Sequence, residues 1–177
     1  MDMQSILNSI LSSGQADKIS QKTGLSQDQL SQVIAAGLPM ILGGMANNAS
    51  SKNGAESLNN ALDKHTNSPV LDDAEKAASD TAESEGGSIL GHVFGDNKSA
   101  AADGVAKQTG VDSATVMKVM AMLAPLVMAY LAKQKSTSGF DARSLANILS
   151  GFLGGNSQQQ TAGSSILDSV IGMFSKK

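Results

Sequence analysis

Residues 16–46 read ADKISQKTGLSQDQLSQVIAAGLPMILGGMA, and residues 102–132 read ADGVAKQTGVDSATVMKVMAMLAPLVMAYLA. The two stretches align without a gap at an offset of 86 residues. Eight positions are identical, and they include a Thr-Gly pair and a proline in the apolar half. Self-similarity at one fixed offset is the signature of an internal repeat. We therefore expect two similar multi-helix units, packed about a pseudo-two-fold axis.

Each stretch carries local signals for two helices joined by a tight turn. Gly24 and Gly110 stand where a helix would end in a left-handed residue, a conformation that glycine adopts at little cost. Ser26 and Asp112 follow at the N-cap position of the next helix. That helix contains a proline in both copies, which removes a backbone donor and predicts a bent or split helix.

The composition favours helices over sheets. Apolar residues make up 41% of the chain, but aromatic residues only 3%. Strands favour aromatic and β-branched side chains, whereas this chain uses alanine, leucine, isoleucine and nine methionines. The sequence predicts an all-α fold.

Similar short motifs flank the repeat and define its units. A Ser-Ile-Leu motif occurs at residues 5–7, 88–90 and 165–167, and a Ser-Leu pair occurs at residues 57–58 and 144–145. Each motif reads as part of a flanking helix, because further apolar residues follow it at helical spacing. A third Ser-Ile-Leu helix is therefore expected to close the chain.

These motifs divide the chain into four parts. Residues 67–87 contain six acidic residues and one lysine, which predicts a solvated linker that ends in Gly-Gly and is at most transiently helical around residues 74–81. The expected organisation is a first helical unit over residues 1–66, the acidic linker over residues 67–87, a second helical unit over residues 88–153, and a polar connector with a closing helix over residues 154–177.

Charge and cysteine content limit the possible functions and location. The net charge is −3 and the isoelectric point is near 5.2, which argues against a nucleic-acid partner. The absence of cysteine excludes disulfides and thiolate metal sites. No basic residue precedes Lys18, so the start does not resemble a secretory signal. We expect a cytoplasmic protein.

Several motifs together resemble a known family. They are residues 86–95 (GGSILGHVFG), residues 109–111 (TGV) and residues 122–128 (MLAPLVM), with residues 24–26 (GLS) and 38–44 (LPMILGG) as the matching half. The chain resembles the bacterial domain of unknown function 937 family, which is distantly YidB-like. Members of that family are helical and have no assigned activity. The resemblance therefore implies the fold class and assigns no catalytic or ligand-binding residue.

Residues 19–34 resemble a helix-turn-helix in their spacing. A DNA-binding helix-turn-helix needs base-contacting side chains at the start of its second helix and basic residues around that helix. Gln27, Gln29 and Gln32 are present, but no basic residue accompanies them, and the second copy offers only Lys118. We interpret this segment as a pair of core helices.

The uncharged runs over residues 33–46 and 119–132 are too short to span a bilayer. Each contains 14 residues, whereas a membrane-spanning helix needs about 20. We expect the two runs to pack together as the central layer of the fold. Met40, Met45, Met120 and Met128 lie on them and either fill the core or line an apolar groove.

No constellation of catalytic or metal-binding residues is recognisable in the sequence. The two histidines, His65 and His92, would have to converge with Asp72 or Asp73 to hold a metal, and no ligand spacing indicates this. There is no Gly-x-Ser-x-Gly, no phosphate loop and no His-Glu-x-x-His. We expect no enzyme activity, no cofactor and no metal.

The function best supported by the sequence is that of a non-enzymatic interaction or structural protein. Its partner would be another protein or a second copy of itself, in a homo-oligomer. The outer helices would supply the contact surface through Leu7, Leu11, Leu90, Phe94, Leu167, Val170 and Phe174. Two alternatives remain open: a carrier of a small apolar ligand in a methionine-lined groove, and a membrane-associated helical protein.

Overall fold

The structure is a computed structural model that describes residues 3–12 and 14–154. Those residues form helices joined by short turns and contain no strand, so the expected all-α fold class is confirmed. The α-helices are α1 (Met3–Ser12), α2 (Gln15–Thr23), α3 (Gln27–Ala49), α4 (Lys52–His65), α5 (Ala74–Ala77), α6 (Asp80–Phe94), α7 (Lys98–Thr109), α8 (Ser113–Ser138) and α9 (Ala142–Gly154). Two short 3-10 helices cover Pro69–Leu71 and Gly95–Asn97.

The two long helices begin as the sequence predicts. Helices α2 and α7 end at Gly24 and Gly110, each with a φ of 73° in the left-handed region. The Ser26 hydroxyl then accepts a hydrogen bond from the backbone N–H three residues on, and the Asp112 carboxylate does the same. These caps satisfy N–H groups that the first turn of a helix leaves without partners.

Helices α3 and α8 pack against each other and form the centre of the fold. Every residue over 36–46 and over 119–129 is buried. The two helices approach closely at Gly37, where an added Cβ would lie 3.4 Å from the Met120 Cγ. The expectation that the two apolar runs form a central layer is confirmed.

Both prolines lie inside continuous helices. The prolines predicted a bent or split helix, and neither helix is split at its proline. Because Pro125 has no N–H, it cannot donate to the carbonyl of Ala121, four residues earlier. Helix α6 approaches that same carbonyl: a Cβ added at Gly86 would lie 1.5 Å from the Ala121 oxygen. The proline and the glycine together allow α6 to rest on the backbone of α8.

The other end of α6 rests on α3. A Cβ added at Gly44 would lie 2.3 Å from Val93 Cγ1 and 3.1 Å from Phe94 Cε1, so only glycine allows this approach. Leu90 is fully buried on the same helix, and Phe94 is 3% exposed. This corrects the expectation that Leu90 and Phe94 belong to an outer contact surface, because α6 crosses α8 and α3 with these side chains turned into the core.

The helices that follow the two long ones interlock. Helix α4 packs on α8 as well as on α3, which precedes it, and α9 packs on α3 and α4. Helix α7 also lies against both long helices. The halves of the chain therefore share one hydrophobic core rather than forming two separate cores.

The acidic stretch over residues 67–87 contains a short 3-10 helix, α5 and the start of α6, and it packs against the fold instead of forming a separate linker. Val70, Ala77 and Ala82 are buried, and α5 packs against α2 and α8. Helix α6 begins at Asp80, so the expected boundary at residue 88 falls inside it. Glu75 and Asp80 pair with lysines of α2, more than fifty residues earlier in the chain, which no local pattern reveals.

Three acidic side chains of this stretch have partners that fix their positions. Lys18 of α2 lies 3.2 Å from the Glu75 carboxylate, and Lys22 pairs with Asp80. Asp73 accepts hydrogen bonds from the backbone N–H groups of Glu75 and Lys76 and so caps α5. Acidic side chains at helix N-termini also interact favourably with the helix dipole.

Replacement of Gly86 tests the contact between α6 and the backbone of α8. We expect Gly86→Ala to lower the free energy of unfolding by at least about 2 kcal/mol, because the new methyl group would overlap backbone that cannot move aside. The matched control is Gly87→Ala in the same helix, where nothing lies within 4 Å of the added Cβ. The control should raise stability by roughly 0.5–1 kcal/mol, since alanine favours helices. Urea unfolding followed by circular dichroism measures both, and equal effects would contradict the contact.

The cap of α8 predicts a pH dependence of stability. Hydrogen bonds from the Thr115 side chain and backbone hold the pKa of Asp112 below its ordinary value of 3.8. The cap therefore stabilises the fold fully above that value, and this contribution is lost as the pH falls through the lowered pKa. Asparagine caps equally well but does not titrate. Between about pH 5 and pH 2, the Tm of Asp112→Asn should fall less than that of the unchanged protein. Parallel Tm curves would contradict this assignment.

Candidate functional site

A cleft opens between α4 and α6. Its volume is about 820 Å³, and the sides of α3 and α8 form its floor. The apolar side chains that line it are Met45, Leu58, Ala61, Ile89, Val93 and Met128. Polar side chains also line it, among them Asn48, Lys64, His65, Glu85, Ser88 and His92.

The floor of the cleft is part of the hydrophobic core. Met45 and Met128 are both almost fully buried, and each contributes to the lining. Met40 and Met120, the other two methionines expected to line a groove, are equally buried but do not border this cleft. The four methionines therefore fill the core, and two of them also form the bottom of an open site.

The walls of the cleft carry apolar side chains that the fold does not fully cover. Leu58 and Ala61 of α4 and Ile89 of α6 are half-buried against the core. The Ser-Leu pair at residues 144–145 of α9 corresponds to Ser57-Leu58 in the sequence, yet Leu145 is fully buried. The same local pattern thus leads to a covered leucine on α9 and a partly open one on α4.

Both histidines of the chain border the cleft. His65 is 9% exposed, and its Nε2 lies 3.7 Å from the Glu85 carboxylate across the gap between α4 and α6. His92 Nδ1 lies 2.8 Å from the Ser88 carbonyl, where a proton on Nδ1 would be donated to that oxygen. Asp73, one of the two aspartates that a metal site would have needed, caps α5 instead. Within residues 3–12 and 14–154, no group of three metal-ligating side chains is assembled.

One end of the cleft is fixed by a set of backbone contacts around Asn48. Its side-chain N–H groups donate to the carbonyls of His92 and Val93, both at 3.0 Å, and so tie the last turn of α6 to α3. The Asn48 carbonyl also lies against the first turn of α4, where a Cβ added at Gly54 would come within 1.9 Å of its oxygen. The spacing of the two walls is therefore set here.

Helix α4, which forms one wall of the cleft, is attached to α8 by an ion pair. Lys135 Nζ lies 2.5 Å from the Asp63 carboxylate and 3.4 Å from the Asn59 carbonyl, both on α4. This lysine side chain is only 17% exposed, so the pair is better shielded from solvent than most surface ion pairs. Helix α4 is thus held at both ends, and the cleft is a preformed feature of the fold.

The helix-turn-helix spacing over residues 19–34 leads to core helices. Leu30, Val33 and Ile34 are buried, and the Gln27 amide donates to Asp17 at 2.6 Å instead of being free to reach a base. The exposed start of α3 carries an acidic residue, Asp28, in its first turn. The interpretation of this segment as a core helix pair is supported.

The remaining residues of the expected contact surface have different positions. Leu7 is half-buried against the core on α1. Leu11 lies within α1, and its side chain is not among those described. Leu167, Val170 and Phe174 lie outside the described residues. The cleft walls, and Leu58 and Ile89 in particular, were not identified from the sequence, because their exposure depends on where α9 and α6 cross the long helices.

Taken together, the cleft combines an apolar floor with a polar rim. Such a surface suits an amphipathic helix, which lays its apolar face into a groove, or a small apolar molecule.

Replacement of Asn48 tests how the cleft is fixed. We expect Asn48→Asp to lower the free energy of unfolding by about 1–3 kcal/mol, because a carboxylate would face two carbonyls that then lack a donor. Hydrogen exchange of the amides in the last turn of α6 should accelerate as well. The neighbouring Asn47→Asp is the matched control, since Asn47 is exposed. Equal stability of the two variants would contradict the role given to Asn48.

Comparison with known proteins identifies a family and no closer relative. No curated protein and no solved structure matched the chain. The family model described as "Bacterial protein of unknown function (DUF937)" matches residues 5–134, which run from α1 into the last third of α8 and cover well over half of the chain. The resemblance seen in the sequence motifs is thereby confirmed, and the protein belongs to the DUF937 family.

Proposed function

We propose that this protein is a non-enzymatic interaction protein that binds the apolar face of a helix in the α4–α6 cleft. The observation that carries the proposal is the set of half-buried apolar side chains, Leu58, Ala61 and Ile89, above a floor formed by core methionines. Exposed apolar surface that is concave and bordered by polar groups is typical of interaction sites.

The dimensions of the cleft favour a helix of a few turns. Its lining on α4 extends from Asn53 to His65, which corresponds to roughly 18 Å of helix at ~1.5 Å per residue. A partner helix with apolar residues at positions i, i+3, i+4 and i+7 would place its anchors over such a length. The flexible side chains of Met45 and Met128 can adjust to different anchors.

The charges at the rim would orient the bound helix. Lys64 and His65 stand on the α4 wall, and Glu85 stands on the α6 wall. A partner with an acidic residue toward α4 and a basic residue toward α6 would complement both sides. Charges at the rim of an interface contribute more to orientation and association rate than to affinity.

The chain as a whole suits a protein partner in the cytoplasm. Its net charge of −3 does not favour nucleic acid, and no cofactor is required for binding of this kind. The partner is either another protein or a second copy of the chain, in which case the protein forms a homo-oligomer.

We further propose that the fold arose from two copies of one helical unit related by a pseudo-two-fold axis. The matching caps, the left-handed glycines and the prolines at an offset of 86 residues support this proposal. So does the reciprocal packing of α4 on α8 and of α9 on α3. Helices α1 and α6 carry corresponding Ser-Ile-Leu motifs but do not follow this relation. Helix α6 lies across α8, whereas α1 does not lie across α3 in the same way.

A small apolar ligand is a second candidate occupant. The volume of about 820 Å³ falls within the range of small-molecule pockets. The polar side chains around the opening would then fix the orientation of a polar head group. Native mass spectrometry distinguishes this case, since a ligand would add a constant mass that organic solvent removes.

Membrane association is a third candidate and has weaker support. Helices α3 and α8 are long and apolar enough to cross a bilayer, but 78% and 72% of their most apolar windows are buried in the fold. Insertion would therefore require the core to open. Burial of each large apolar side chain contributes about 1.5–3 kcal/mol, so opening would be costly.

Photo-crosslinking from the cleft tests the proposed function. A photoreactive amino acid in place of Ile89 should crosslink to one or a few defined peptides when the full chain is irradiated in bacterial cells. The same amino acid in place of Ser84, which is exposed on α6 outside the cleft lining, should not give these products. Identical products from the two positions, or none from either, would refute the proposal. Mass spectrometry identifies the crosslinked peptides.

A further inference from the structure

We propose that the Asn53-Gly54 pair on the α4 wall of the cleft is a site of spontaneous covalent modification, in which Asn53 is converted to aspartate or isoaspartate. The Ser51 cap of α4 controls the rate of this reaction. The inference does not depend on what the cleft binds, because the reaction needs only water. Asn53 and Gly54 form the only Asn-Gly pair in the sequence.

The reaction is the cyclisation that asparagine undergoes most readily when glycine follows it, because glycine has no side chain to hinder the ring and its backbone is the least restricted. The backbone nitrogen of Gly54 forms a bond to the side-chain carbon Cγ of Asn53, and the Cγ–Nδ2 bond breaks. Ammonia leaves with the proton that the Gly54 nitrogen loses, and a succinimide ring remains. Water then opens the ring at either of its two carbonyl carbons, which gives aspartate or isoaspartate.

The position of Asn53 makes its side chain accessible to water. Asn53 is the second residue of α4, it is exposed, and it lines the cleft together with Asn48. The ends of helices open more readily than their middles, because the first N–H groups have no partner within the helix. Both the side-chain amide and the ring that it would form are therefore open to solvent.

Packing requires the glycine that makes this pair reactive. A Cβ added at Gly54 would lie 1.9 Å from the carbonyl oxygen of Asn48 and 2.8 Å from the Ser51 Oγ. Any other residue would have to push the start of α4 away from the end of α3. The same close approach that sets the spacing of the cleft walls therefore also keeps the reactive pair in place.

The Ser51 side chain restrains the attacking nitrogen. Its hydroxyl oxygen accepts a hydrogen bond from the Gly54 N–H at 3.1 Å, and the hydroxyl itself donates to the Asn48 carbonyl at 3.3 Å. Ring closure requires this N–H to lose its partner and the ψ of Asn53 to leave the helical value of about −42°. The reaction therefore proceeds from the fraction of molecules in which the first turn of α4 is open, and the cap sets that fraction.

The two products affect the cleft in opposite ways. Aspartate keeps the backbone intact and places a negative charge in the first turn of α4, where the helix dipole favours it. Isoaspartate routes the backbone through the side chain, which adds a methylene group before Gly54 and interrupts the first turn. Because Gly54 lies against the Asn48 carbonyl and the Asn48 side chain holds the last turn of α6, isoaspartate loosens the cleft at this end.

Peptide mapping by mass spectrometry tests the inference in the full chain during incubation at neutral pH. We expect exchange of the side-chain NH2 group for OH to be faster at Asn53 than at Asn60, which Ala61 follows on the same helix. Ser51→Ala should accelerate the reaction at Asn53 about fivefold, which corresponds to a cap of about 1 kcal/mol. Ser51→Thr keeps the hydroxyl and Ser57→Ala leaves the cap intact, so these two matched controls should react at the rate of the unchanged protein.

A reaction at Asn53 that is no faster than at Asn60, or equal rates in Ser51→Ala and the unchanged protein, would overturn the proposal. Hydrogen exchange shows whether Ser51→Ala opens only the first turn of α4. A rise in exchange throughout α3 and α8 that matches the increase in rate would overturn the role given to the cap. After chromatographic separation, the isoaspartate form should exchange faster than the aspartate form in the last turn of α6, and equal exchange would overturn the effect on the cleft.

Discussion

The mutual burial of α3 and α8 is the constraint on which the rest of this structure depends. Each helix carries an uncharged stretch that is buried over residues 36–46 or 119–129, and the two helices pack against each other. The other helices are arranged around this pair because its remaining surface is apolar as well. Helices α4, α6, α7 and α9 each cover part of it, and they differ in how completely they do so.

The contact of α6 with Ala121 depends on the proline inside α8 and on a glycine of α6. Pro125 removes the donor that would normally bind the Ala121 carbonyl, and Gly86 brings the backbone of α6 close to that oxygen. Carbonyl oxygens at such close helix crossings accept weak Cα–H contacts. The corresponding residue in the first long helix, Ala35, is exposed. Within the described residues, the two corresponding positions therefore differ in burial, and the two halves do not present the same surface.

Sequence reasoning succeeded where local chemistry determines structure. The glycine turns, the caps at Ser26 and Asp112 and the all-α class follow from rules that act over a few residues. For residues 67–87 it indicated a transient helix around residues 74–81 but not the packing of this stretch on α2, since the lysines that pair with Glu75 and Asp80 are more than fifty positions away. It also placed Leu90 and Phe94 on the surface and missed Leu58 and Ile89. Whether an apolar residue on an amphipathic helix is covered depends on how helices cross, which periodicity alone does not specify.

Native-state hydrogen exchange tests the central claim most directly. If α3 and α8 form the core of a folded, water-soluble protein, the amides over residues 36–46 and 119–129 should exchange only through global unfolding. Their opening free energies should then equal the free energy of unfolding from urea denaturation, and lipid vesicles should leave them unchanged. Faster exchange of these two segments than of the surrounding helices, or a change on adding vesicles, would contradict the account.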